Sequence, residues 1–123
     1  MFLMFIAVQA ASCSQPNTQM EMNRCAAVDH QREDAAMTAQ WRKTLAYMRA
    51  QDRDLNSNSD KRPNYGDTLL ESQRAWLRYR DSQCAIEGYA ARGGSMEPML
   101  IASCKATMTA ARRKTLSKLI VEY

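Results

Sequence analysis

The chain has 123 residues, of which 46% are apolar and 24% charged, with a formal net charge of +4 and a single histidine. That length fits one domain with a small core, for which covalent cross-links are a natural supplement. With four Gly, three Pro and no Val/Ile/Thr alternation, the composition is that of a helix former and excludes a sheet protein.

Residues 1–12, MFLMFIAVQAAS, open with an apolar run followed by small residues, and Val8-Gln9-Ala10 resembles a cleavage site. We expect the end of a secretory signal without its basic n-region, with residues 13–123 forming a single helical domain. The run is too short to span a bilayer. Cys13, Cys25, Cys84 and Cys104 are even in number and none lies in a CxxC, which excludes zinc-ribbon and thioredoxin-type readings. Paired thiols suit an exported small domain. A second reading stays open at Cys13: Ala10-Ala11-Ser12-Cys13 faintly resembles a lipoprotein box, and lipidation there would tie the protein to a membrane.

The first helix is announced by Thr18 and Glu21, a capping box in which the hydroxyl takes a free amide and the carboxylate reaches back. No Pro or Gly interrupts residues 19–53. One face carries His30, Asp34, Met37, Trp41, Leu45 and Met48, with Cys25 and Val28 near its start. Arg32, Glu33, Arg42, Lys43 and Arg49 make the solvated face. A lone His on an apolar stripe is read as structural, and no metal or cofactor is expected.

Residues 52–67, DRDLNSNSDKRPNYGD, form a loop, and Asp67 or Thr68 is expected to cap the next helix. The second helix, LLESQRAWLRYRDSQCAIE, is the centre of the design. Leu69, Gln73, Trp76, Arg80, Cys84 and Glu87 recur at steps of three and four, widened by Leu70, Leu77 and Ile86. Gln, Arg and Cys on an apolar stripe demand partners from the other helices. Arg92-Gly93-Gly94-Ser95 makes the next turn, with Ser95 as N-cap and Pro98 in the first turn of the third helix. That helix runs to about residue 120 with Ile101, Cys104, Met108, Arg112, Leu116 and Leu119 on one stripe. Its cations, Lys105, Arg112, Arg113, Lys114 and Lys118, have no acid among them. They read either as a solvated helix end favoured by the dipole or as a face for an anionic partner.

Consecutive helices joined in this way lie antiparallel, so the fold is an all-α, three-helix, disulfide-stapled bundle. Positions equidistant from the Gly93-Gly94 turn face each other, which brings Cys84 level with Cys104 and leaves Cys13 for Cys25. Across the first loop, Asp34 falls near Arg80, and Trp41 near Trp76 or Leu77. A buried Asp34–Arg80 pair is expected to fix register more than to add stability.

TQMEMNRC at 18–25, Asp34, QRAWLRYRDSQC at 73–84, Gly93-Gly94-Ser95, Cys104, Thr109 and Arg112 together resemble the LprI-type lysozyme inhibitor family of small exported bacterial helical proteins. His30 and Met37-Thr38 depart from the pattern. The resemblance implies a periplasmic or secreted, disulfide-bonded helical protein, and the first functional reading is a binding protein that blocks a lysozyme-type glycan hydrolase. The alternative is an envelope-associated interaction protein without such inhibition. An enzyme is not expected: one His and four paired cysteines build no nucleophilic triad, and Asp34 and Glu87 do not make a glycosidase pair. Asp34, Trp41, Gln73, Trp76, Arg80 and Arg112 read as fold determinants, so binding is assigned to a loop. The candidate is the turn Arg92, Gly93, Gly94 and Ser95. A hydrolase or another envelope protein is the expected partner, nucleic acid is not, and a membrane enters only with a lipidated Cys13.

Overall fold

A computed structural model describes residues 13–54 and 60–121. The expected signal segment and the tip of the first loop lie outside the described residues. Helix α1 spans Gln19–Asp54, helix α2 Tyr65–Gly88 and helix α3 Glu97–Lys118, with a 3-10 turn Tyr89–Ala91 after α2. Among the described residues there is no strand. The 36 residues of α1 reach about 54 Å at 1.5 Å per residue.

The start of α1 is half of the expected box. Thr18 Oγ1 accepts from the Glu21 amide at 3.1 Å, but the Glu21 carboxylate reaches past Thr18 to the Asn17 amide at 2.8 Å. Helix α2 begins before Asp67 or Thr68, and its N-cap is Asn64. The Asn64 Oδ1 accepts from the Asp67 amide at 2.9 Å. The Tyr65 and Gly66 amides, which would otherwise be orphaned, donate to the two oxygens of Asp52 in the last turn of α1. Asn64 is thus an ordinary local cap, and a carboxylate from another helix reinforces this earlier start. Ser95 is likewise not the N-cap of α3: that position is Met96, with no side-chain cap. The Ser95 carbonyl instead accepts from Asn23 Nδ2 at 2.8 Å, tying the turn to α1.

Helices α1 and α3 run parallel and share the largest interface. Asn23 meets Ser95, Thr44 Oγ1 donates to the Leu116 carbonyl at 3.0 Å, and Tyr47 meets the Val121 carbonyl. Helix α2 runs against both. The apolar core is Met37, Leu69 and Leu116, flanked by Trp41, Leu45, Met48 and Trp76, and lies where α1 and α3 near their C-termini. At the other end Gly88 lets α2 approach α3: a Cβ there would stand 2.6 Å from Ile101 Cγ1. Cys13 joins Cys25 with Cα atoms 5.3 Å apart, and Cys84 joins Cys104 with Cα atoms 5.4 Å apart. The first bridge occupies the sulfur that lipidation of Cys13 would need.

Candidate functional site

The polar members of the α2 stripe find their partners in one seam along the bundle. The Arg80 guanidinium places Nη1 3.3 Å from Asp34 Oδ1 on α1 and 3.3 Å from Thr109 Oγ1 on α3. Its Nε lies 3.0 Å from Asp81 Oδ1, and its carbon Cζ is 5.3 Å from the Trp76 ring centroid. The expected pair is therefore present in altered form. The Arg80 side chain is 9% exposed and Asp34 46%, so only the cation is buried. One turn along, Arg112 Nε donates to Gln73 Oε1 at 2.9 Å and Nη2 to Ser72 Oγ at 3.2 Å. Arg112 also lies over Trp76, and burial pushes its pKa down. Gln73 Nε2 sits 3.7 Å from Met37 Sδ. Buried Arg is tolerated because its planar fork is filled by several acceptors at once.

His30 borders this seam. Its Nδ1 is shielded from solvent and has no hydrogen-bond partner among the described residues. Burial lowers its pKa, and Arg80 adds to that effect. Both effects favour the neutral imidazole.

Several stripe positions fall elsewhere than expected. Val28, Ile86 and Leu119 are exposed, and Glu87 is exposed with its Oε2 3.0 Å from Cys104 Sγ. Cys84, Glu87 and Cys104 would be near enough to share a metal, but both sulfurs are committed to the disulfide. Thr44 and Thr109 are fully buried and lay off the apolar stripes. Thr109 enters the sequence reading only through the family resemblance; the physical signal for its place is that Arg80 needs more acceptors than Asp34 supplies. Trp41 packs at the edge of the apolar core.

The turn after α2 is a separate, exposed feature. Arg92, Gly93, Gly94 and Ser95 are all exposed. Gly93 adopts φ +77°, a conformation that suits glycine, with open space where a Cβ would stand. The Gly94 amide donates to the Ala91 carbonyl at 2.8 Å and the Glu97 amide to the Gly94 carbonyl at 3.3 Å. The Arg92 guanidinium lies 4.6 Å over the Tyr89 ring and has no ion pair among the described residues. A groove of about 370 Å³, lined by Glu87, Ala90, Leu100, Cys104 and Met108, opens beside the bridge below the turn.

The family model of the lysozyme inhibitor LprI matches residues 10–116, a span that takes in both bridges, the whole seam and the turn. The chain belongs to the LprI family. Across 108 residues it is also 39% identical to an uncharacterized protein of Rhizobium meliloti (strain 1021), covering 88% of this chain and 78% of that protein. No solved structure gives a significant match. Within this LprI chain no described helix is long and apolar enough to cross a membrane.

The basic run of α3 is largely used within the bundle. Lys105 lies 3.8 Å from Asp81, Arg112 belongs to the seam and Arg113 lies 3.8 Å from Glu33. Only Lys114 and Lys118 of the five lie exposed without an ion pair among the described residues.

Proposed function

We propose that this LprI-family protein is an exported binding protein that blocks a lysozyme-type glycan hydrolase, with the turn Arg92, Gly93, Gly94 and Ser95 entering the cleft. The observation that carries the reading is Arg92: exposed, held over Tyr89 and not committed to a carboxylate of its own chain. A glycosidase cleft must keep two carboxylates in place, and a guanidinium is the side chain best matched to them. Gly93 and Gly94 remove side-chain bulk beside Arg92, so backbone can approach the cleft floor. The Cys84–Cys104 bridge and the Asn23–Ser95 hydrogen bond hold the turn's base, which lowers the ordering cost of binding.

The anionic-polymer alternative draws less support, because three of the five α3 cations are engaged internally. A chain of net charge +4 has no long-range attraction to a basic lysozyme, so inhibition must come from local contact. The test is a cell-wall lysis assay with acidic and basic lysozymes. Arg92→Ala and Ser95→Ala, each checked for helicity, should raise the half-inhibitory concentration, Arg92→Ala by about tenfold or more. Full inhibition by both variants would move the site off the turn, and no inhibition by the wild type would end the reading.

A further inference from the structure

Beyond Arg92, the outward face of α2 and the 3-10 turn after it carry a ridge that no other described residue covers. Tyr79 is 58% exposed, Ile86 57% and Tyr89 48%. Tyr79 and Ile86 lie seven residues apart on one side of α2, and Tyr89 opens the 3-10 turn that continues it, so the set extends about 15 Å. Ser82 between them turns its hydroxyl onto the carbonyls of Arg78 and Tyr79, leaving the ridge uninterrupted by an unsatisfied polar group. Arg92 caps one end through its contact with Tyr89. Arg78 borders the other end, where Glu71 approaches it only at 3.9 Å. Two large aromatics, a branched aliphatic and arginines are the residue types that dominate the energetics of protein interfaces. Scattered exposed apolar residues are ordinary, whereas an aligned set continuous with a rigid cationic turn is a surface.

We infer that the Tyr79, Ile86 and Tyr89 ridge is the second half of the inhibitory contact, lying along the wall of a hydrolase's substrate cleft while Arg92 meets the carboxylates. This inference rests on the function proposed above and extends it. Two features select the occupant. The ridge stands out on one exposed helix face and its 3-10 extension, which a groove can enclose. Its flanking cations are arginines, so the partner must present acids near an apolar wall. A glycan hydrolase cleft joins both properties, with its carboxylate pair at the centre. A second copy of this chain would instead bring Arg78 and Arg92 against the same like charges.

The experiment compares the wild type, the triple variant Tyr79→Ala/Ile86→Ala/Tyr89→Ala, Arg92→Ala and the control Tyr65→Ala. Tyr65 is 47% exposed but starts α2, about 21 Å along the axis from Tyr79. Alanine keeps helix propensity, and circular dichroism with a thermal melt checks that each variant is folded. Inhibition is measured by cell-wall lysis, and binding to the inhibited hydrolase by calorimetry. The triple variant should lose on the order of a hundredfold in affinity while Tyr65→Ala keeps it. Unchanged affinity of the folded triple variant, with Arg92→Ala still impaired, overturns the ridge and leaves the turn reading standing. Absence of any inhibition by the wild type overturns both. Wild-type binding to isolated cell-wall glycan or anionic vesicles that the triple variant loses, without effect on any hydrolase, overturns the inference by giving the ridge a different partner.

Discussion

At the scale of single residues, the seam separates groups that are hard to replace from groups that are easy. Arg80 is buried, but its two carboxylate partners are about half exposed and can rehydrate. Arg80→Met should therefore cost about 1–3 kcal/mol through lost charge-assisted hydrogen bonds and the Thr109 contact, not the larger penalty of a stranded buried charge. Asp34→Asn should cost below about 1 kcal/mol, because Asp81 still holds the guanidinium. A double-mutant cycle by urea unfolding measures the coupling, and a value above about 3 kcal/mol would mean that Asp34 is buried on Arg80 after all. His30 gives the pH dependence. Facing it are Arg80 and Asp81 on α2, Lys105 on α3 and Asp34 on its own helix, and burial is the main cause of its lowered pKa. The unfolded chain takes up a proton near pH 6.5, before the folded one does. Stability is thus fully present above that value and falls as the pH drops toward the folded-state pKa. His30→Gln should flatten the fall between pH 7.5 and 5.5 in urea titrations; an unchanged slope would show that other groups carry it.

At the scale of helices, the close approach of α2 to α3 depends on Gly88. Gly88→Ala drives a methyl onto Ile101 and should cost about 1–3 kcal/mol despite alanine's better helix propensity. Ile101→Ala removes the atoms in the way, so the double variant should lose less than the two single losses combined. Additive losses would place the methyl in free space. The same junctions explain what could be read from the sequence. The extent of α1 was legible because no Pro or Gly breaks it and Thr18 marks its start. The pairing of Cys84 with Cys104 was legible because a two-glycine turn fixes which positions are level. The start of α2 was not, because Asn64, Asp67 and Thr68 all offer cap chemistry and the Tyr65 and Gly66 amides that favour the earlier start are taken by Asp52 of another helix. The outward turn of Ile86 and Glu87 was not either, because the helix is crossed by two neighbours with different contact lines, and one averaged stripe describes neither. The turn at residues 92–95 was visible from its glycines, but the ridge beside it was not, since the helical stripe read from the sequence places Ile86 on the buried side.

At the scale of the molecule, cohesion is divided along the bundle axis. The apolar core of Met37, Leu69 and Leu116 holds the end where α1 and α3 terminate. The opposite end contains Cys25, Cys84, Cys104 and Gly88, buries only Cys25, Ala26 and Cys84 of the apolar core residues, and is held by the bridges. The polar seam around Arg80 lies between them. The bridges close loops with separations of 12 and 20 residues, worth about 3 kcal/mol each in the chain-entropy model. Reduction should consequently act unevenly. Hydrogen exchange of the reduced and alkylated protein should rise first in the segment joining Cys84 to Cys104 and in the first turns of α1. Amides near Met37, Leu69 and Leu116 should keep the larger part of their protection, since local opening follows local contact. If the turn makes the inhibitory contact, the same reduced protein should inhibit poorly while still showing most of its helicity. Equal loss of protection at both ends would show instead that the bundle opens as one unit and that the bridges support the core as much as the turn.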